Sequence, residues 1–147
     1  MTNTQEFGKI SSEPVQYSAP QWLREKFNKE LLGIKYLAAK APIYPNIDPA
    51  AGFCCWGFVW YYLNLCGIEF PLDPYEAEKQ TVEVKDRLRW RDIVSYSSMY
   101  FSPIPHAGVM EDERHVLHCS GETNGVARTS ILLMPTPTKT YRHLSLA

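Results

Sequence analysis

The second half of the chain, from Lys85 onward, consists of short segments rich in β-branched and aromatic residues. Turn-forming stretches such as SPIP, EDE and GETN separate these segments. Short strands joined by tight turns form antiparallel meanders, because strands that follow each other in the chain then pair without long crossovers. We therefore predict strands in the segments DIVSYS, HAGVM, HVLHCS, GVARTSILLM and YRHLSL.

The beginning of the chain carries helix signals instead. A capping box of Ser18 and Gln21, with Pro20 in the first turn, predicts a helix over QWLREKFNKELL that ends at Gly33. Apolar residues at helical spacing form the predicted buried side of this helix: Trp22, Leu23, Phe27, Leu31 and Leu32.

Two further helices follow a proline-rich stretch. Residues 40–52 contain several helix breakers and are predicted to form a loop. The apolar run after them predicts a helix over about residues 55–66, ended by Gly67. Asp73 and Pro74 begin a short third helix, YEAEKQ. Helices that precede an antiparallel sheet indicate an α+β fold.

Composition and charge limit the classes of function. The 147 residues suit a single domain, predicted over 18–147, behind a flexible N-terminal arm of residues 1–17. The net charge of −1 provides no basic surface for nucleic acid. The apolar run Phe53–Leu65 is too short to cross a bilayer, and the N-terminus lacks a secretory pattern. We therefore expect synthesis in the cytoplasm, with reduced thiols and no membrane partner.

Cys55 is the candidate nucleophile. It is predicted to lie in the first turn of the second helix, where unpaired amide groups and the helix dipole favour a thiolate with a depressed pKa. Gly57 leaves room beside the thiol for a substrate backbone. His106 opens the strand HAGVM and is the candidate base. His118 lies on the next strand, across the turn EDER, where it can orient the base; Cys55, His106 and His118 thus form a predicted catalytic set.

Several motifs, in the same order along the chain, resemble those of the NlpC-type cell-wall cysteine peptidases. CWGFVWYYLNLCGIEFP resembles the nucleophile helix of that family, with its Gly-Ile and Phe-Pro ending. WRDIVSY resembles its Gly-Asp-Leu-Val strand, with Asp92 in the aspartate place, and HAGVM its His-Val-Gly-Ile strand. VLHCSGETNGV resembles its Ile-His-Ala-Ser segment, LLGIKY its Leu-Gly-x-x-Tyr segment, and YRHLSL its closing strand. The resemblance implies a papain-like fold with N-terminal helices packed on a C-terminal antiparallel sheet.

The resemblance also implies roles for individual residues. Cys55 would be the nucleophile, His106 the base and His118 the third polar residue. The Cys55 amide and the Tyr36 hydroxyl would bind the oxyanion, with Tyr44 as the alternative tyrosine. Neither a cofactor nor a metal ion is implied.

The chain departs from the family pattern next to the nucleophile. Cys54 stands in the place of the usual aspartate, and Trp56 in the place of the usual serine. An insert that includes residues 42–48, PIYPNID, replaces a glycine-rich turn. These changes lie at the mouth of the predicted site and therefore concern substrate specificity. Trp56 is predicted to line a substrate subsite, and Cys54 to serve packing or spacing.

Other interpretations of the cysteines and histidines remain. A metal site would lack a Cys-x-x-Cys pair, and His115 and His118 are expected to point to opposite faces of one strand. In a purely structural interpretation, Cys55 is an inert buried thiol, and His106 and His118 are core histidines with satisfied hydrogen bonds.

The resemblance implies a cysteine peptidase or amidase that hydrolyses the stem peptides of bacterial peptidoglycan. The implied bond is of the γ-D-glutamyl-diaminopimelate type. Because the N-terminus lacks a secretory pattern, we expect delivery to the wall by a phage particle, by lysis or by a secretion system, with phage-tail or secretion proteins as partners. The alternatives are a thiol acyltransferase or deamidase of the same fold that acts on a protein, and a catalytically silent structural component of a phage tail.

Overall fold

The computed structural model describes residues 15–37, 47–96 and 106–147. Most of the predicted arm, Tyr44 and much of the 42–48 insert lie outside the described residues. The described helices are α1 (Gln21–Lys26), which continues as a π-helical turn (Phe27–Leu31), α2 (Cys55–Leu65), α3 (Pro74–Glu78) and the 3₁₀ turns Ile131–Leu133 and Leu144–Leu146. The described strands are β1 (Ile47–Asp48), β2 (Gly52–Phe53), β3 (Thr81–Glu83), β4 (Ile93–Tyr96), β5 (His106–Met110), β6 (His115–Ser120), β7 (Gly125–Ser130) and β8 (Lys139–His143). Within these three ranges, no helix combines the length and the apolar character needed to span a membrane.

Six strands form an antiparallel sheet in the order β3-β8-β4-β5-β6-β7. Strands β4 to β7 form the predicted meander, and β8 returns to pair with β4. The predicted α+β arrangement, with helices before an antiparallel sheet, is confirmed. The sequence prediction misses β3, because this edge strand is only three residues long and largely exposed.

The predicted strand GVARTSILLM and the predicted loop 40–52 both need correction. Strand β7 ends at Ser130, whose hydroxyl accepts a hydrogen bond from the Leu132 N–H at 3.3 Å and starts a 3₁₀ turn. In the predicted loop, β1 and β2 pair as a small hairpin. Gly52 lets the backbone of Lys35 approach this hairpin closely, because a Cβ built on it would lie 2.6 Å from the Lys35 carbonyl oxygen.

The start and the buried face of α1 also differ from the sequence prediction. The N-cap is Pro20, two residues after Ser18, and no described side chain caps the helix, so the predicted capping box is wrong. Leu23, Phe27 and Leu31 are buried, whereas Trp22 and Leu32 are exposed. Leu23, Phe27 and Leu31 lie four positions apart and therefore share one face of the helix. Trp22 precedes Leu23 and Leu32 follows Leu31, so both lie off that face.

Helix α2 matches its prediction and carries the first residue of the candidate site. It spans Cys55–Leu65, and Gly67 follows in the left-handed region at φ 89°. The helix packs against β5 and β6, and it shares a core with α1. Buried side chains at this junction include Phe27, Phe58, Val59, Tyr62, Leu63, Val109 and Leu117. This packing brings the N-terminus of α2 against the sheet.

Candidate active site

Cys54 is the N-cap residue of α2. Its backbone is extended, at φ −84° and ψ 175°, and its Sγ accepts a hydrogen bond from the Gly57 N–H at 3.3 Å. Aspartate, asparagine and serine are the preferred residues at this position, because their oxygens satisfy an unpaired amide at the helix start. Cys54 therefore performs with sulfur the capping role that an aspartate would perform with oxygen. The spacing between Cys54 and Gly57 is the sequence signal from which this helix cap could be predicted.

Cys55 is the first residue of α2 and is half-buried. Its pKa is raised to about 11, first by burial and then by the neighbouring Cys54. Hydrogen bonds from the backbone N–H groups of Ala107, Trp56 and Cys55 itself lower the pKa and oppose this effect. The depressed pKa expected from the helix N-terminus is therefore wrong for this conformation, because burial outweighs the amide groups. At neutral pH the group is a thiol, and its contact with Ala107 places it beside β5.

His106 and His118 form a buried pair on neighbouring strands. Nε2 of His106 lies 3.0 Å from Nδ1 of His118, and the two rings meet edge to face at 78°. The register explains this contact: Gly108 lies opposite His118, so His106 is its diagonal neighbour on the same face of the sheet. A Cβ at Gly108 would lie 3.2 Å from the Cβ of His118, so glycine permits the close approach of the strands.

Both imidazoles are neutral at physiological pH. Burial lowers the pKa of His106 to about 4, and His118 adds a smaller effect in the same direction. Burial likewise lowers the pKa of His118 to about 4. A neutral His106 can accept a proton, and its Nε2 is already directed at His118. The ring nitrogen left for a proton from Cys55 is therefore Nδ1.

Thr129 extends this pair into a chain of three residues. Its Oγ1 lies 2.9 Å from Nε2 of His118. Thr129 stands on β7, two residues beyond Ala127, which is the register partner of His118. The predicted site does not include Thr129. A threonine in a strand is common, and only the register shows that its hydroxyl faces an imidazole.

Of the other predicted site residues, Trp56 and Gly57 belong to the first turn of α2, and Tyr36 lies near the start of that helix. Tyr36 forms a bridge with Phe53, and its pKa is raised by burial and then by the negative charges that Cys55, Cys54 and Cys119 would carry as thiolates. The Tyr36 side chain therefore lies near the thiol of Cys55.

Trp56 and Gly57 both have structural contacts. The indole N–H of Trp56 donates to the Leu72 carbonyl at 2.7 Å, and its ring packs on Phe70 at a centroid distance of 5.6 Å. Gly57 is buried, and its N–H donates a hydrogen bond to Sγ of Cys54, which caps the helix. The predicted substrate-binding roles of Tyr36, Trp56 and Gly57 stay predictions.

The comparison with known families agrees with this geometry. The model of the NlpC/P60 family matches residues 42–143. This chain belongs to the NlpC/P60 family. The resemblance inferred from the motifs and the predicted NlpC-type fold are thereby both confirmed. Members of the family are generally cell-wall peptidases. No curated protein matches the chain.

Two solved NlpC/P60 structures share the fold. NlpC2 from Trichomonas vaginalis has 18% identity and a TM-score of 0.61, and the match covers 82% of this chain and 45% of that protein. A protein of the NLP/P60 family from Staphylococcus aureus, described as similar to lipoprotein, has 16% identity and a TM-score of 0.60. That match covers 91% of this chain and 45% of the other. This chain thus spans about half the length of these relatives, and the likeness concerns the fold alone.

Asp92, which the resemblance assigns to the aspartate of the family's Gly-Asp-Leu-Val strand, has a structural partner. Its carboxylate is fully buried and accepts two hydrogen bonds from the Arg142 guanidinium, each at 2.8 Å. The Asp92 carbonyl also accepts from the Met110 N–H at 2.8 Å, which connects the start of β4 to β5. Among the described residues, no group of three or more His, Cys, Asp or Glu side chains is arranged to hold a metal ion.

Proposed function

We propose that this protein is a cysteine peptidase or amidase that cleaves stem peptides of bacterial peptidoglycan. The observation that carries the proposal is the arrangement of Cys55 at the N-terminus of α2, in contact with β5, and of the His106–His118 pair on β5 and β6. Membership of the NlpC/P60 family supports the substrate class. The bond we propose is of the γ-D-glutamyl-diaminopimelate type.

The proposed reaction begins from a neutral thiol and a neutral imidazole. The Cys55 sulfur bonds to the substrate carbonyl carbon while its proton passes to Nδ1 of His106. The Cys55 amide and the Tyr36 hydroxyl stabilise the tetrahedral oxyanion. When the C–N bond breaks, His106 returns the proton to the leaving amine. Water then hydrolyses the thioester, which releases a carboxylic acid and restores the thiol.

The proposal is tested by digestion of purified peptidoglycan, followed by mass analysis of the released fragments. Wild type should release peptide fragments, and Cys55→Ala should release none. Cys66→Ala is the matched control, because this half-buried cysteine lies at the opposite end of α2 and should leave digestion intact. The masses and the new termini identify the bond. Absence of fragments with wild type, or equal release by Cys55→Ala, would contradict the proposal.

The proposed substrate implies that the protein acts at the cell wall. Delivery by a phage particle, by lysis or by a secretion system, as expected from the sequence, stays a prediction.

A further inference from the structure

Three side chains from three consecutive strands form a hydrogen-bonded row that ends at Thr129. Nε2 of His106 meets Nδ1 of His118 at 3.0 Å, and Nε2 of His118 meets Oγ1 of Thr129 at 2.9 Å. We propose that Thr129 is a positioning residue that keeps His118 in the tautomer through which His106 can act as a base. The catalytic consequence rests on the proposed function, whereas the tautomer does not.

The direction of the hydrogen bonds decides whether His106 can take a proton from Cys55. A neutral imidazole carries one N–H, and its other nitrogen is an acceptor. If Nδ1 of His106 is to accept, its hydrogen must be on Nε2 and must be donated to Nδ1 of His118. The hydrogen of His118 is then on its own Nε2, where it needs an acceptor. Oγ1 of Thr129 lies in the position to be that acceptor.

The opposite direction would prevent base catalysis. If His118 carried its hydrogen on Nδ1, it would donate to Nε2 of His106, and the hydrogen of His106 would then be on Nδ1, the nitrogen that must accept the proton from Cys55. A hydroxyl can both donate and accept, so Thr129 permits either direction in the neutral pair. A residue without an acceptor at position 129 would leave a buried His118 Nε2–H unsatisfied and would favour the unproductive tautomer.

The contact between Thr129 and His118 matters most once His106 has become protonated. The imidazolium carries hydrogens on both nitrogens, so only the direction from His106 through His118 to Thr129 remains possible. The lone pair of the Thr129 hydroxyl then faces the His118 N–H and stabilises the positive charge at His106 through the row. Hydrogen bonds that involve a charged group are stronger than neutral ones.

The decisive variant is Thr129→Val. Valine has the shape and the strand preference of threonine, so it removes the acceptor without leaving space for a water molecule. Thr129→Ser should restore the hydroxyl function. Thr81→Val is the matched control, because the Thr81 hydroxyl donates to the Glu78 carbonyl at 2.8 Å on β3, an edge strand remote from β7.

The first measurement is the tautomer of His118 in substrate-free protein, from nitrogen chemical shifts and long-range proton couplings of the imidazole rings. Wild type, Thr129→Ser and Thr81→Val should carry the His118 hydrogen on Nε2, and Thr129→Val should shift it toward Nδ1. The second measurement is kcat and KM on a soluble stem peptide. Thr129→Val should lower kcat about tenfold with little change in KM, which is the size expected for one hydrogen bond to a charged group.

The two proposals fail in different ways. If wild-type His118 carries its hydrogen on Nδ1, or if Thr129→Val changes neither the tautomer nor kcat, the role of Thr129 is overturned. A shifted tautomer with unchanged kcat would also overturn it. If wild type cleaves no stem peptide, the proposed function is rejected, and the tautomer measurement still decides whether Thr129 positions His118.

Discussion

Substitution of Asp92 tests how much its buried carboxylate contributes to the stability of the fold. Asp92 is 0% exposed and receives two guanidinium hydrogen bonds from Arg142, whose side chain is 7% exposed. The Arg89 N–H donates to the same carboxylate at 3.0 Å. Arg142 also contacts Asp86 at 2.9 Å, but that side chain is 68% exposed. One arginine therefore has two carboxylate partners at nearly equal distance and at opposite extremes of burial.

We expect Asp92→Asn to lower the free energy of unfolding by about 3–5 kcal/mol. The asparagine keeps the volume but removes the charge, and its NH₂ group would compete with the donors that now surround the carboxylate. Loss of the buried member of an ion pair causes losses of this size, and the exposed Asp86 carboxylate, which stays beside Arg142, is solvated and compensates for little of it. For a domain of about 150 residues, the loss corresponds to a fall in Tm of roughly 10 °C. Asp86→Asn should cost only about 0–1 kcal/mol, because an exposed ion pair is solvated and screened.

The assay is urea denaturation at pH 7, monitored by tryptophan fluorescence and by circular dichroism. Both variants lose one negative charge and keep Arg142, so the difference between them isolates burial. Equal midpoints for Asp92→Asn and Asp86→Asn would refute the reasoning. So would a larger loss for Asp86→Asn.

Three further predictions follow from burial and from backbone conformation. Between pH 7.5 and pH 5, the free energy of unfolding should fall by about 2 kcal/mol for each of His106 and His118. Their folded pKa values of about 4 lie below the unfolded value near 6.5, so the unfolded chain binds protons first as the pH falls. His118→Gln should remove about half of this dependence in urea titrations, and an unchanged dependence would count against it. The rate at which iodoacetamide alkylates Cys55 should increase continuously from pH 6 to pH 9.5, because burial raises the thiol pKa to about 11. Site-resolved mass spectrometry measures this rate, and a plateau already reached below pH 6 would instead show a preformed thiolate. Arg91 has a left-handed φ of 76°, so Arg91→Val should be about 1–2 kcal/mol less stable than Arg91→Gly in thermal denaturation, and equal stability would disprove the strain.

The elements that follow from local pattern could be predicted from the sequence. The apolar run between breakers and Gly67 indicates α2, and the alternation of β-branched segments and turns indicates β4 to β7. The hairpin spacing between His106 and His118 was enough to predict their contact, which the 3.0 Å separation confirms. These features depend on residues close together in the chain, where side-chain period and turn chemistry act directly.

The features that the sequence missed depend on distant residues. Strand β3 forms because β8 is available to pair with it, and the capping box at Ser18 gives way to a helix that begins after Pro20. The sequence predicts packing or spacing for Cys54, whereas the fold uses its sulfur as a helix cap.

The sequence and the tertiary structure each determine a different part of the chemistry of the candidate site. The sequence by itself determined the residue types, their order and the strands and helix that carry them, because those follow from local pattern. Only the tertiary structure decided that burial keeps the Cys55 thiol protonated and both imidazoles neutral, and that Thr129 meets His118. The physical reason is that desolvation and cross-strand register are set by which distant segments pack together, and neither can be read from the immediate neighbours of a residue.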